Sequence, residues 1–216
     1  MRIALIHALR VSMAPIGESF ARLWPEASLV NLLDDSLSTD LARAGRLDAA
    51  MTDRFVTLAR YAAGTGADGI LFTCSAFGPC IAACARELAP MPVLTPNEAM
   101  IEEILGATGR GARIGLMASF APTLDSMPPE FLAADPTVRL VPCLAEGALD
   151  ALNRGDGAGH DAHSAAAAQQ LLDCDAIAFS QFSLARAAPA VAAATGKTVF
   201  TTPDSAVRKL RRLLGA

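Results

Sequence analysis

The sequence predicts an α/β fold made of two similar halves, each built around a parallel sheet. Eight short apolar runs alternate with helical stretches along the 216 residues, which is the order typical of parallel strands joined by helices. The runs are nearly continuous rather than alternating, as expected for strands covered on both faces. Segments of the first half also recur in the second half at a nearly constant spacing, which indicates an internal repeat.

The elements follow from apolar runs and their boundary signals. The predicted strands are residues 3–7, 28–32, 69–73, 92–94, 113–118, 138–142, 175–179 and 198–201. The predicted helices are residues 16–23, 47–63, 79–88, 98–107, 122–133, 162–172, 184–194 and 205–214. Pro79 and Pro122 suit first-turn positions, and Asp204 is predicted as an N-cap. The polar, glycine-containing stretches 34–45 and 153–160 are predicted as loops.

The repeat rests on three collinear matches. RIALI at positions 2–6 resembles RIGLM at positions 113–117. DGILFT at positions 68–73 resembles DAIAFS at positions 175–180. The TPN segment at positions 95–97 returns as TPD at positions 202–204, with the same spacing as the second match. We therefore interpret the chain as two α/β lobes related by duplication.

The repeat also predicts the lobe boundaries. Residues 1–97, joined by the C-terminal helix at 205–216, form the first lobe, and residues 98–204 form the second. Two such lobes are expected to share a cleft at the carboxyl ends of their strands, where ligands bind in open parallel sheets.

Composition excludes several classes of protein. The chain is 52% apolar and 19% charged, so it can bury a large core. Its net charge of −4 argues against nucleic acid as a partner. The longest uncharged run contains glycine and proline and suits a strand and turn rather than a membrane helix. We expect a cytoplasmic protein whose five cysteines are free thiols.

Cys74 is the first candidate for chemistry. It directly follows the predicted strand at 69–73, and the segment after it turns into a helix near Pro79. A thiol there faces the positive end of a helix dipole, which is expected to lower its pKa. The backbone amides of Ser75, Ala76 and Phe77, together with the Ser75 hydroxyl, could hold a carboxylate. The alternative is a small strand-end cysteine that only packs.

The other cysteines and the histidines are interpreted mainly as structural or surface residues. Four cysteines are expected to pack in the core: Cys80, Cys84, Cys143 and Cys174. His7 ends the first strand and faces the predicted cleft, whereas His160 and His163 are expected in a solvated loop. The HExxH, Walker A, GxGxxG and GxSxG motifs do not occur, so no metal, nucleotide or classical hydrolase site is predicted.

The second and third matches of the repeat place Gln181 as the counterpart of Cys74. A glutamine side chain cannot take or give a proton at neutral pH, but it can donate and accept hydrogen bonds. If the lobes are related by a pseudo-two-fold axis, these two residues are expected to face each other.

With DGILFTCSAF ending a strand in a duplicated α/β chain, the sequence resembles the aspartate/glutamate racemase superfamily. That group includes hydantoin racemases, maleate isomerases and arylmalonate decarboxylases. The resemblance covers essentially the whole chain and is strongest at residues 2–7, 73–75, 113–119 and 175–183. It implies an enzyme without metal, pyridoxal phosphate or nucleotide, in which two cysteines flank the substrate. Cys74 matches the first of them, and Gln181 occupies the position of the second.

The resemblance also implies which residues bind the substrate. These are residues of the loops at the strand ends: His7, Arg10, Ser12, Ser75, Ala76, Ser119, Thr123, Phe182 and Ser183. The loop after the first strand lacks the Gly-Gly of the amino-acid racemases, and it offers Arg10 or Ser12 to an anionic substrate. The implied partner is a small carboxylate or amino-acid-like molecule, and a homodimer is compatible with the sequence.

The predicted function is a cofactor-independent racemase or isomerase that acts at the carbon next to a small carboxylate or carbonyl. Cys74 would be its acid, base or nucleophile. Because only one thiol is in place, a decarboxylase of the arylmalonate type remains an alternative, as does an isomerase that works through a covalent adduct. Two further alternatives are a binding protein that has lost catalysis and a hydrolase that pairs Cys74 with His7.

Overall fold

The computed structural model describes residues 1–216, with the side chain of Ser75 left out. The eight strands are β1 (Arg2–His7), β2 (Ser28–Leu33), β3 (Gly69–Phe72), β4 (Val93–Leu94), β5 (Arg113–Ala118), β6 (Arg139–Leu144), β7 (Ala176–Phe179) and β8 (Val199–Thr201). They form two four-stranded sheets in the orders β2-β1-β3-β4 and β6-β5-β7-β8. All six pairings are parallel, which confirms the predicted α/β fold with two parallel sheets.

Each strand is followed by one or two helices. They are α1 (Met13–Leu23), α2 (Leu37–Ala44), α3 (Ala49–Gly64), α4 (Gly78–Glu87), α5 (Pro96–Thr108), α6 (Pro122–Ser126), α7 (Pro128–Ala134), α8 (Ala148–Asn153), α9 (Gly157–Ala168), α10 (Ala188–Thr195) and α11 (Thr202–Leu213). Short 3₁₀ segments lie at Arg10–Ser12, Ser75–Phe77, Gln169–Leu171 and Phe182–Ala187. In the described part of the chain, none of the helices has both the length and the apolar composition needed to cross a membrane.

Two predicted loops contain helices. Helix α2 lies within the stretch 34–45, where the fully buried Leu37 anchors it and Gly45 ends it with a left-handed φ of 67°. Helix α9 begins at Gly157, because the Asp156 carboxylate accepts a hydrogen bond from the Gly159 amide at 2.8 Å and caps it. The glycines that favoured a loop prediction here are outweighed by capping and by tertiary packing.

The start of the last helix also differs from the prediction. Helix α11 begins at Thr202, so Asp204 lies in its first turn instead of at the N-cap. An acidic side chain in the first turn still interacts favourably with the helix dipole. The prolines were placed correctly, since Pro79 and Pro122 occupy N1 or N2 of their helices.

The chain divides into two compact units, Met1–Ala99 with Ala206–Ala216 and Met100–Ser205. In the first unit a core cluster covers the sheet face that carries Ile70 and Phe72. In the second unit both faces of the sheet are covered. One cluster holds Ile114 and the other holds Met117.

The two units repeat one hydrogen-bonding scheme. In the first unit the amide of Arg2 donates to the Asp68 carboxylate at 2.7 Å, and in the second the amide of Arg113 donates to Asp175 at 2.8 Å. The first match of the repeat aligns Arg2 with Arg113, and the second match aligns Asp68 with Asp175. The residues that the repeat aligns therefore also make equivalent contacts between neighbouring strands.

At Gly115 the packing of the second unit leaves little room for a side chain. A Cβ atom at this position would lie 2.7 Å from Cδ1 of Leu171, which is too close for two carbon atoms. Leu171 is fully buried in the core of that unit. At the matching position of the first unit, β1 carries Ala4.

Candidate functional site

Cys74 lies at the carboxyl end of a central strand of the first unit. Strand β3 is buried along its whole length and ends at Phe72. Cys74 itself is extended, with φ −132° and ψ 121°, and the 3₁₀ segment Ser75–Phe77 follows it and leads into α4. Pro79 at the start of α4 favours this turn because its φ is already fixed near the helical value. The thiol therefore lies between the end of β3 and the turn that leads into α4.

Apolar side chains surround the inner side of the Cys74 thiol. The thiol borders a small apolar cavity with no room for a water molecule, and Leu37, Phe55 and Phe72 are among its other walls. The ring of Phe55 stacks on Phe72 at 5.3 Å and contacts Phe77 at 4.7 Å between centroids. Three aromatic rings from α3, β3 and the 3₁₀ turn thus support the backbone on both sides of Cys74.

Burial raises the pKa of the Cys74 thiol, and a hydrogen bond from the backbone of Ala76 opposes that shift only in part. The expectation of a lowered pKa is therefore wrong for this structure, since desolvation by the apolar wall outweighs the effect of the turn. At neutral pH the free protein holds Cys74 as a thiol, which is the form that can donate a proton.

This protonation state gives a direct test. We expect alkylation of Cys74 by iodoacetamide to be slow at neutral pH and to accelerate only well above about pH 8.5, the usual pKa of a free cysteine. The rate should be followed by mass spectrometry of the Cys74 peptide across a pH series, with Cys74→Ser as the blank. A rate that levels off below about pH 8 would contradict the raised pKa.

His7 is fully buried, and both of its ring nitrogens have partners. Nε2 lies 2.9 Å from the Asn31 side-chain oxygen, and Nδ1 lies 2.8 Å from the Thr73 hydroxyl. Since the oxygen of Asn31 can only accept, Nε2 carries the proton, and Nδ1 accepts from Thr73. The imidazole thus holds together the ends of three strands, and contact of His7 with a substrate stays a prediction. Thr73 directly precedes Cys74, so His7 fixes the backbone beside the thiol.

Burial also lowers the pKa of His7, although the hydrogen bond to Asn31 opposes this shift. The unfolded chain therefore binds more protons than the folded chain below about pH 6.5, the usual value for histidine. We expect the free energy of unfolding to fall as the pH decreases through this range, and His7→Gln to remove part of that slope. Urea unfolding at a series of pH values measures it. Identical slopes in both proteins would show that His7 does not cause the pH dependence.

The other predicted binding residues of the first unit lie in the segments that follow β1 and β3, and their environments differ. Arg10 is exposed, and its guanidinium lies 3.4 Å from the Asp35 carboxylate. Ser12 is 6% exposed and closes the 3₁₀ turn through its amide, which donates to Leu9. Ala76 is exposed at the 3₁₀ turn, and its backbone makes the hydrogen bond to the Cys74 thiol. The side chain of Ser75, which was predicted to hold an oxyanion, lies outside what the structure describes.

Gln181 occupies the matching strand end of the second unit. It follows β7 with φ −140° and ψ 141°, close to the angles of Cys74, and a 3₁₀ segment follows it as well. The Gln181 side-chain oxygen accepts from the Ser119 amide at 2.7 Å and from the Ser119 hydroxyl at 3.2 Å. Two residues that were predicted separately from the sequence are thus in direct contact.

The other predicted residues of the second unit lie near the same sheet edge. Thr123 is partly buried at the start of α6, and Ser183 is partly buried in the 3₁₀ segment after Gln181. The side chain of Phe182 is only 7% exposed. The ring of Phe182 therefore packs in the interior, so a ligand could contact this residue only through its backbone.

The remaining cysteines are buried, as predicted for packing residues: Cys80, Cys84, Cys143 and Cys174. Burial raises the pKa of Cys84 and that of Cys143 to about 11. His160 was predicted in a solvated loop, but it is fully buried on α9, where Nδ1 donates to the Ala148 carbonyl at 2.9 Å.

Three further residues neighbour the candidate site without having been predicted there, namely Asn31, Thr73 and Leu37. Only Asn31 could have been recognised from the sequence, because it is a polar residue within the apolar run of β2. Leu37 gave no such signal, since its role depends on where α2 packs.

Comparison with solved structures gives matches over nearly the whole chain. An aspartate racemase homologue from Pyrococcus horikoshii is 15% identical, with a TM-score of 0.73 and coverage of 100% of this chain and 99% of that chain. The aspartate racemase of Picrophilus torridus is 12% identical, with a TM-score of 0.72 and coverage of 99% and 94%. A glycine-to-cysteine mutant of arylmalonate decarboxylase in its sulfate-associated form is 22% identical, with a TM-score of 0.71 and coverage of 100% and 94%.

These similarities establish the fold, which is the one shared by aspartate racemase, glutamate racemase and arylmalonate decarboxylase structures. No protein-family model matches the chain, and no curated protein matches its sequence.

Proposed function

We propose that this chain is a cytoplasmic, cofactor-independent enzyme of the racemase and isomerase type, which acts at the carbon next to a small carboxylate or carbonyl. The observation that carries the proposal is the half-buried Cys74 thiol at the carboxyl end of β3, at the start of a turn that leads into a helix. The fold shared with racemases and a decarboxylase supports it. The predicted partner is a small carboxylate or amino-acid-like molecule.

In the proposed reaction the turn after Cys74 binds the oxygen on which negative charge develops. Backbone amides at the start of a helix stabilise such an oxyanion, because their dipoles are fixed before the reaction begins. In racemisation the α-proton first passes to a water molecule, and the electron pair of the broken C–H bond passes to this oxygen as the enediolate forms. The α-carbon of the enediolate, which neighbours the carbon that bears this oxygen, then takes the proton of Cys74, so that a C–H bond forms and the S–H bond breaks. The thiolate that remains recovers a proton from water or from the α-carbon of a substrate molecule.

The second candidate function is decarboxylation, and Gln181 favours it. Racemisation needs a base on one face of the carbon and an acid on the other, whereas glutamine can serve as neither. Decarboxylation needs only the acid. The electron pair of the broken C–C bond passes to the remaining carboxylate as carbon dioxide leaves, and the enediolate then takes the Cys74 proton. A thiol that is protonated in the resting protein suits this role.

The test is turnover in deuterated water with small amino acids, hydroxy acids, hydantoins and malonates. Racemisation would incorporate deuterium at the α-carbon with loss of chirality. Decarboxylation would incorporate deuterium and release carbon dioxide. A binding protein without activity would bind such acids, but no deuterium would appear in them. That last result, with every substrate class, would overturn the proposed enzymatic function.

A further inference from the structure

The contact between Ser119 and Gln181 fixes the orientation of an amide at the candidate site. Ser119 directly follows β5 and Gln181 follows β7, and these two strands are hydrogen-bonded neighbours. The Ser119 amide donates to the Gln181 side-chain oxygen at 2.7 Å, and the Ser119 hydroxyl donates to the same oxygen at 3.2 Å. Ser119 is only 8% exposed, so this contact is largely shielded from competing water.

The chemistry of the donor settles which end of the glutamine amide faces Ser119. A backbone N–H can only donate, so the atom opposite it must be the carbonyl oxygen of the side chain. With that oxygen held by two donors, the NH₂ group of Gln181 is directed away from Ser119. Within the described residues this NH₂ group has no hydrogen-bond partner. Gln181 is partly exposed and therefore presents two N–H donors to a ligand.

The first unit has no equivalent of this arrangement. At the spacings of the repeat, Ser119 corresponds to Ala8 and Gln181 corresponds to Cys74. Ala8 offers no hydroxyl, and Cys74 offers a thiol that can lose its proton. One unit thus carries a proton donor at its strand end, and the other carries an oriented hydrogen-bond donor that keeps its protons.

We propose that the NH₂ group of Gln181 donates a hydrogen bond to a carboxylate or carbonyl oxygen of a small acid, and that Ser119 is the positioning residue that orients this NH₂ group. This inference rests on the proposed function, which supplies a small acid with such an oxygen. Because glutamine gives no proton of its own, Gln181 would bind this oxygen without protonating it.

The test is calorimetric binding of malonate, a small dicarboxylate whose oxygens can accept from the Gln181 NH₂ group. We expect Gln181→Leu to weaken malonate binding by roughly 10- to 100-fold, the usual cost of losing a hydrogen bond to a charged group. Gln181→Glu should weaken it further, because a carboxylate would then face the anion. Ser119→Ala should weaken it only a few fold, since the backbone donor of Ser119 remains. Gln170→Leu, at an exposed glutamine in the 3₁₀ segment Gln169–Leu171, is the matched control and should bind like the unsubstituted chain.

Malonate affinity that is unchanged in Gln181→Leu would overturn this inference, as would a failure of the unsubstituted chain to bind malonate. Circular dichroism and thermal unfolding of each variant show that the fold is retained. Turnover of Cys74→Ala separates the two proposals. If that variant stays fully active, the proposed function fails. If it is inactive while Gln181→Leu binds malonate normally, only the role of Gln181 fails.

Discussion

Replacement of Cys74 by alanine is expected to lower turnover by about 10²- to 10⁴-fold, the range that a positioned general acid or base contributes. The reason is that the proposed reaction passes its proton through this thiol. Alanine removes one sulfur atom at the edge of the core, so the chain should still fold. Deuterium incorporation under saturating substrate measures the loss, and circular dichroism reports the fold.

The matched control is Cys174→Ala, which removes a fully buried thiol from the core of the second unit. It should cost some stability and leave turnover at its original level. If the Cys74 variant keeps its activity, or if both cysteine variants lose it equally, then Cys74 is not the group that transfers the proton.

Replacement of Phe55 by alanine is expected to cost about 3–5 kcal/mol of the free energy of unfolding, the usual range for a buried phenylalanine. Phe55 is 1% exposed, and its ring contacts Phe72 and Phe77. Its removal leaves a cavity beneath the strand end and the turn that hold Cys74. We therefore expect activity to fall together with stability, because the backbone around the thiol loses its support.

Urea unfolding gives the change in stability, and the turnover of the folded fraction gives the change in activity. Tyr61→Ala is the control, since Tyr61 lies on the same helix, α3, but is 65% exposed. A surface substitution of this kind should change the free energy of unfolding by no more than about 0.5 kcal/mol. Equal losses in the two variants would show that the aromatic cluster is not what supports this part of the first unit.

The fold could be predicted from the sequence because its central strands β1, β3, β5 and β7 are almost wholly buried, and such strands appear as short apolar runs. The runs that became β1, β3, β5 and β7 were placed within one residue of their observed bounds. The helices α2 and α8 were missed, since they are short and depend on contacts with distant residues. Leu37 is an example, because its burial is decided by the packing of α2 and not by its neighbours in sequence.

The candidate site could be predicted only in part. The position of Cys74 at a strand end followed from the run of apolar residues before it. The direction of its pKa shift did not follow, because the wall that desolvates it comes from α2 and α3. The partners of His7 were equally hidden, since Asn31 and Thr73 are 24 and 66 residues away in sequence. The contact of Ser119 with Gln181 spans 62 residues and requires the pairing of β5 with β7.

Gly115 shows how two units with the same kind of strand order differ in what packs on their strands. Leu171 fills the space that a Cβ atom at this position would need, so any larger residue would require the buried Leu171 side chain to move, whereas the matching position of the first unit carries Ala4. A strand segment moved from one unit into the other would therefore have to bring along the side chains that pack against it. An exchange of whole strand-and-helix segments is the smallest one that such packing favours.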